Sequence, residues 1–154
     1  MAGTRTLSQS RTVALPDEGA TEALAASFAD DLDKGSVIAL TGDLGAGKSV
    51  FARTLIRTMG QAGGVDIGAV PSPTFTLVQQ YDLPDFPIYH FDLYRLSEPE
   101  EVWEIGLEEA LAEGAALIEW ADRIDGYLPP GTIRVHLSAG ETDSARIADI
   151  SERA

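Results

Sequence analysis

Two periods of apolar spacing run through the chain, and the changes from one to the other predict its elements. Residues 11–15 (RTVAL) form a short β-prone run closed by Pro16, Asp17 and Glu18. In the stretch that follows, ATEALAASFADDL, the residues Leu24, Phe28 and Leu32 recur at every fourth position. That spacing predicts one apolar helix face, ending at Lys34 and Gly35. SVIAL (residues 36–40) is apolar after its first residue and predicts a buried strand. Beyond a glycine-rich loop, SVFARTLIRTMG returns to helical spacing, with Phe51, Leu55 and Met59 on one core-facing stripe and Gly60 as the expected C-cap.

The second half alternates in the same way. QAGGVDIGAVPSP is rich in glycine, ends in two prolines and follows neither period. TFTLVQQYD and FPIYHFDLY are β-prone and separated only by LPD, a connection short enough for a hairpin. SEPEEVWEIGLEEALAEG predicts a helix with Ser97 as N-cap and a proline in its first turn, broken in two at Gly106. AALIEW reads as an interior strand, ADRIDGYLPPG as a turn or short helix, and TIRVHL as a final alternating strand. Strands separated by helices predict an α/β fold, and the central hairpin predicts a mixed rather than purely parallel sheet with flanking helices. No repeat, low-complexity tract or second domain is visible, so residues 1–154 read as one domain. About ten N-terminal and about fifteen C-terminal residues carry no usable pattern and are expected to be flexible.

Composition narrows the function. The 154 residues are 44% hydrophobic and 23% charged, an ordinary globular balance. There is no cysteine, which excludes a thiol nucleophile, a disulfide framework and a thiolate metal site. No apolar run has transmembrane length, and the first residues lack a signal-type apolar core, so the cytoplasm is the expected compartment and no membrane partner is expected. The formal charge of −14 repels a phosphate backbone. If the protein serves a nucleic-acid process, a protein partner is expected to hold the nucleic acid. A small basic patch around Arg53 and Arg57 is compatible with that balance.

The loop carries the chemistry. GDLGAGKS (residues 42–49) matches GxxxxGK[ST] at every fixed position, with a predicted strand before it and a helix after it. Its glycines let the backbone amides of Asp43, Leu44, Gly45, Ala46 and Gly47 turn inward as an anion nest at a helix N-terminus. In this pattern Lys48 reaches the β- and γ-phosphates and the Ser49 hydroxyl ligates Mg²⁺. The Lys48 ammonium is expected to face solvent, with little structural role. ATP is the expected nucleotide, since no guanine-reading Asn/Thr-Lys-x-Asp is present.

Hydrolysis also requires a carboxylate at the end of a neighbouring strand. Two predicted strands supply one: IYHFD ends in Asp92 and AALIE ends in Glu119. Glu119 is the stronger candidate, because small and apolar residues directly precede it, while Asp92 orients either metal-bound water or Arg95. Thr74 and Thr76 enter a predicted strand from the glycine-rich stretch, where a hydroxyl can approach a γ-phosphate or simply serve the strand. His90 and His136 have no partner histidine at metal spacing, which argues against zinc. Trp120, next to Glu119, is either a wall of the nucleotide pocket or core packing.

Taken in order, GDLGAGKS, SPTFTLVQQY, YHFDLYRL, EEVWEIGLEE and LIEW resemble the small bacterial TsaE-like P-loop ATPases required for threonylcarbamoyl-adenosine modification of tRNA. The resemblance runs from Gly42 to Trp120, and the preceding helix and strand look like the family's opening. It implies a single P-loop NTPase-like domain in which Lys48 and the loop amides hold the phosphates and Ser49 and Glu119 attend Mg²⁺. It further implies Thr74 in a switch-like segment, Asp92 near the metal and its waters, and Thr21 close to the adenine. The implied activity is slow ATP hydrolysis, stimulated by a transferase complex of two related proteins that the turnover resets. Ser49 stands where the family often has threonine, which keeps the hydroxyl. The stretch QAGGVDIGA looks like an insertion that lengthens the approach to the switch segment. A small-molecule kinase and a nucleotide-gated binding module with negligible hydrolysis are the alternative classes. The kinase is disfavoured because Arg95 and Arg123 fall short of the arginine-rich lid that such an enzyme carries.

Overall fold

In the computed structural model, which describes residues 10–43 and 45–153, the strands are β1 (Ser10–Leu15), β2 (Val37–Thr41), β3 (Val78–Tyr81), β4 (Ile88–Asp92), β5 (Ala115–Glu119), β6 (Ile133–Ala139) and β7 (Arg146–Glu152). They make one sheet in the order β1-β7-β6-β2-β5-β4-β3. β6, β2, β5 and β4 are parallel to one another, and β1–β7, β7–β6 and β3–β4 are antiparallel pairs. The sheet is therefore mixed, with the expected hairpin at one edge.

Helices cover both faces. α1 (Glu18–Ser27) and α2 (Lys48–Ala62) pack on one side, where Phe28, Phe51, Leu55 and Ile56 meet Ile38, Leu40 and Leu117. The short helices α3 (Glu101–Glu104) and α4 (Leu107–Glu113) cover the other, where Val102, Leu107 and Ala110 meet Val37, Ala39, Phe91 and Ile118. β2 and β5 are buried along their whole length because both faces are covered, which is why their sequences read as nearly unbroken apolar runs. α1 starts where Asp17 accepts a hydrogen bond from the Ala20 amide (2.8 Å).

Several elements depart from the sequence pattern for identifiable reasons. The C-terminal residues are not a flexible tail: β7 is paired on both sides, by β1 and β6, and buries Ala148 and Ile150. Its alternation is hard to see because one inward position is only an alanine. β6 is consequently not the last strand. Gly60 is not a C-cap but lies inside α2, which runs on to Ala62 with Gly63 as its C-cap, and a Cβ at residue 60 would run into the Ile67 side chain. The strand predicted from Thr74 begins only at Val78, since residues 74–76 are in a turn and Leu77 has φ 70°. Ser97 caps nothing; instead the Glu101 carboxylate accepts from the Ser97 and Glu98 amides (2.8 and 2.6 Å) ahead of α3.

Candidate active site

The parallel strands β2, β4 and β5 end on the same side of the sheet, and the residues just past them meet the loop after β2. Gly42 has φ 135° and lies so close to the Leu137 carbonyl that a Cβ there would overlap it. Gly47, at φ 106°, is the N-cap of α2 and brings no side chain to the first turn. The amide groups at the start of this fifteen-residue helix are thereby left for an anion, with the helix dipole aligned behind them.

Lys48 is only 5% exposed. Its Nζ donates to the carbonyls of Gly42 (2.5 Å) and Asp43 (2.7 Å) and stands 4.1 Å from the centre of the Trp120 ring. Burial pushes its pKa down from the ordinary lysine value, against the opposing pull of the Glu119, Asp122, Asp43 and Asp92 carboxylates. The expectation of a solvent-facing ammonium is corrected: a buried cation needs acceptors, and the loop carbonyls and the indole face supply them.

Glu119 closes β5 and is 1% exposed. Its Oε1 accepts from the Ser49 hydroxyl (3.1 Å) and its Oε2 lies 2.6 Å from His90 Nε2. Asp92 is its register partner across β4 and β5. The Oδ1 of Asp92 accepts from the Tyr94 amide (3.0 Å), and Oδ2 accepts from Ser72 (3.2 Å) and Thr74 (3.1 Å). Ser72 and Thr74 also lie 2.8 Å apart, so these three contacts share two hydroxyl protons.

Trp120 has φ 59° and ψ 40°, a left-handed conformation that a large side chain adopts at a cost of order 1 kcal/mol. The turn ends β5 immediately after Glu119 and lays the indole beside Tyr94, with ring centres 4.8 Å apart. A cavity of about 360 Å³ results, lined by Gly45, Gly47, Lys48, Ser49, Ser72, Thr74, Asp92, Tyr94, Glu119 and Trp120 among others. An adjoining cavity of about 340 Å³ shares Gly45 and Gly47 and is lined by Glu18, Thr21, Asp143, Ser144 and Arg146. There Arg146 donates to the Gly45 carbonyl (3.0 Å), tying β7 to the loop.

The residues singled out from sequence thus fall into groups. Gly45, Gly47, Lys48, Ser49, Thr74, Asp92, Glu119 and Trp120 line one cavity, and Thr21 lines its neighbour. Asp43 and Ala46 line a different cavity, against the turn between β6 and β7. Leu44 lies outside the described residues. Thr76 accepts from the side-chain Nε2 of Gln79 and is absent from the lining of the cavity that holds Thr74. Sequence reasoning missed His90 as a partner of Glu119, and missed Ser72, Tyr94 and Arg146 altogether. Period-two spacing puts His90 on the same face as Asp92, a signal that was present but pointed to no partner.

Comparison with known proteins gives this arrangement its relatives. The family model described as "Threonylcarbamoyl adenosine biosynthesis protein TsaE" matches residues 15–148. A Rickettsia bellii protein named tRNA threonylcarbamoyladenosine biosynthesis protein TsaE is 42% identical over 137 residues, covering 89% of this chain and 92% of its own. Proteins of the same name are 37% identical in Haemophilus influenzae, covering 84% of this chain and 82% of that protein, and in Bacillus subtilis, covering 89% of this chain and 81% of that protein. The crystal structure of Bacillus subtilis YdiB superposes with a TM-score of 0.74 at 25% identity, covering 97% of this chain and 90% of that one. With its mixed sheet, its phosphate-type loop and a family match across most of its length, the chain has a P-loop NTPase fold and belongs to the TsaE family.

Proposed function

We propose that this protein binds ATP with Mg²⁺ at the loop cavity and hydrolyses it in support of threonylcarbamoyl-adenosine modification of tRNA. One observation carries the reading: Lys48, Ser49, Glu119, Asp92 and Thr74 line a single cavity at the N-terminus of α2. The tRNA role rests on the family and on the names of its members.

The donor set suits magnesium. Among the described residues no group of three or more His, Asp or Glu side chains forms a cage for a metal. A hydroxyl from Ser49 and the carboxylate of Glu119 with Asp92 nearby suit a hard cation that keeps several waters and shares phosphate oxygens. Bound there, Mg²⁺ would neutralise charge on the β- and γ-phosphate oxygens. The loop amides and Lys48 bind and orient the triphosphate. Glu119 would help to hold the metal and would orient the attacking water, and Asp92 would orient water beside it. Thr74 approaches the γ-phosphate from its turn, Trp120 walls the pocket, and Thr21 lies on the adenine side. Turnover is slow in isolation and stimulated by a transferase complex of two related proteins, which it resets without forming the new bond. The compartment is the cytoplasm, in keeping with the tRNA role; no helix among the described residues is long and apolar enough to cross a membrane.

The test is hydrolysis of ATP and GTP by the purified protein, alone and with the cognate transferase complex, beside a screen for acceptor phosphorylation. ATP turnover that rises when the complex is added is the expected result. A phosphorylated acceptor would make the protein a kinase, and no hydrolysis even with partners would make it a nucleotide-gated binding module.

A further inference from the structure

We propose that His90 is a positioning residue for this chemistry: its Nε2–H holds one oxygen of Glu119 so that the other stays turned to Ser49. The proposal rests on the role given to Glu119 above. His90 is 1% exposed, in the middle of β4, and its Nε2 lies 2.6 Å from Glu119 Oε2. Across β4 and β5, His90 faces Leu117 while Asp92 faces Glu119. Side chains two apart share a face, so His90 stands one layer deeper than the carboxylate pair and supports it from beneath.

The direction of the hydrogen bond follows from the other ring nitrogen. His90 Nδ1 is buried and has no hydrogen-bond partner. A neutral imidazole carries one N–H, and a proton on Nδ1 would be an unpaired buried donor. With the proton on Nε2, it meets a carboxylate oxygen that can only accept. His90 is therefore a one-way donor whose single bond goes to Glu119.

That bond has a specific effect. The terminal torsion of a glutamate is broad, and one hydroxyl contact at 3.1 Å holds it loosely. A second donor on the opposite oxygen removes the freedom to swing. Ser49 can then offer a lone pair to a cation while its hydroxyl hydrogen points to Oε1. Each carboxylate oxygen keeps a further acceptor site for metal-bound water. Outer-shell partners of this kind alter metal affinity by about 10–100-fold.

The test compares His90→Leu, His90→Asn and His90→Gln with the wild type in the full chain. Gln keeps a neutral N–H at the reach of Nε2, Asn is too short to reach Oε2, and Leu has no donor. Binding of a fluorescent ATP analogue is titrated with and without Mg²⁺, Mn²⁺ binding is followed by electron paramagnetic resonance, and single-turnover hydrolysis is measured with the transferase complex. Leu and Asn are expected to raise the Mg²⁺ or Mn²⁺ concentration for half-saturation by about tenfold. Their single-turnover rate should fall while metal-free analogue binding is unchanged, and Gln should recover most of the loss. If Leu does not fold, the contrast between Asn and Gln carries the result alone. Wild-type metal dependence in Leu or Asn, with Glu119→Gln impaired, would reduce His90 to core packing and leave the proposed function standing. No effect in Glu119→Gln as well would overturn both.

Discussion

At the residue scale, the ammonium of Lys48 has two carbonyls and an indole as neighbours, and its charge is held there against the desolvation that lowers its pKa. Its charge is thus a burden on the fold, and in the proposed function it serves phosphate binding. Lys48→Ala is expected to weaken ATP-analogue affinity by at least about tenfold, since a charge-assisted phosphate contact is lost. Thermal unfolding should show little or no loss of stability. The sign of the pH effect is fixed: because the folded pKa is below 10.5, the unfolded chain binds more protons in the window between them. Wild-type stability relative to Lys48→Ala should therefore rise with pH through that window, as urea unfolding at paired pH values would record. Glu119→Gln keeps volume and loses charge, so triphosphate binding should survive while single-turnover hydrolysis falls by roughly 10²-fold or more. Asp92→Asn should lower turnover less. Near-wild-type turnover in Glu119→Gln would move the catalytic role to Asp92.

At the element scale, the turn before β3 is tied to the end of β4 through Asp92. Asp92 takes the hydroxyls of Ser72 and Thr74, and its own amide donates to the Leu77 carbonyl (3.0 Å). Phe75, between them, is 81% exposed and lies against Arg95, with the guanidinium 4.5 Å from its ring centre. A γ-phosphate competing for the Thr74 hydroxyl would loosen this turn and change the surface around Phe75. Capture of the transferase complex should accordingly differ between ATP-analogue, ADP and nucleotide-free conditions in a pull-down. Equal capture in all three would remove the switch from the mechanism. β7 invites a separate test. Ala148 is fully buried between β1 and β6, and Ala148→Asp places a carboxylate there without a partner. Urea unfolding should report a loss of about 3 kcal/mol or more, whereas a tail outside the fold would show none.

For the whole molecule, charge dominates. Eleven basic against 25 acidic residues give 11 − 25 = −14, and long-range repulsion opposes association with a polyanion. Among the described residues six carboxylates are exposed along 98–113: Glu98, Glu100, Glu104, Glu108, Glu109 and Glu113. They strengthen the acidic field on the side of the sheet that carries α3 and α4. Direct tRNA binding by the isolated chain is expected to be weaker than micromolar at near-physiological salt, measured by fluorescence anisotropy. A tighter, salt-sensitive complex would mean that the basic residues are segregated into a patch.

The sequence by itself determined whatever depends on near neighbours. The phosphate loop, the stripe Phe51, Leu55 and Met59 on α2, the β3–β4 hairpin and the carboxylates ending β4 and β5 are set by spacings of two to four residues or by a contiguous motif. The tertiary structure alone decided which distant residues meet. Arg146 reaches the Gly45 carbonyl from 101 positions away, and His90 reaches Glu119 from 29. Such contacts depend on strand order and register, which put β5 between β2 and β4 and His90 beneath Glu119. Periodicity carries no record of that order. It also hides a strand such as β7, one of whose two buried residues is a small alanine, and a burial such as that of Lys48, whose acceptors are backbone carbonyls that every sequence possesses.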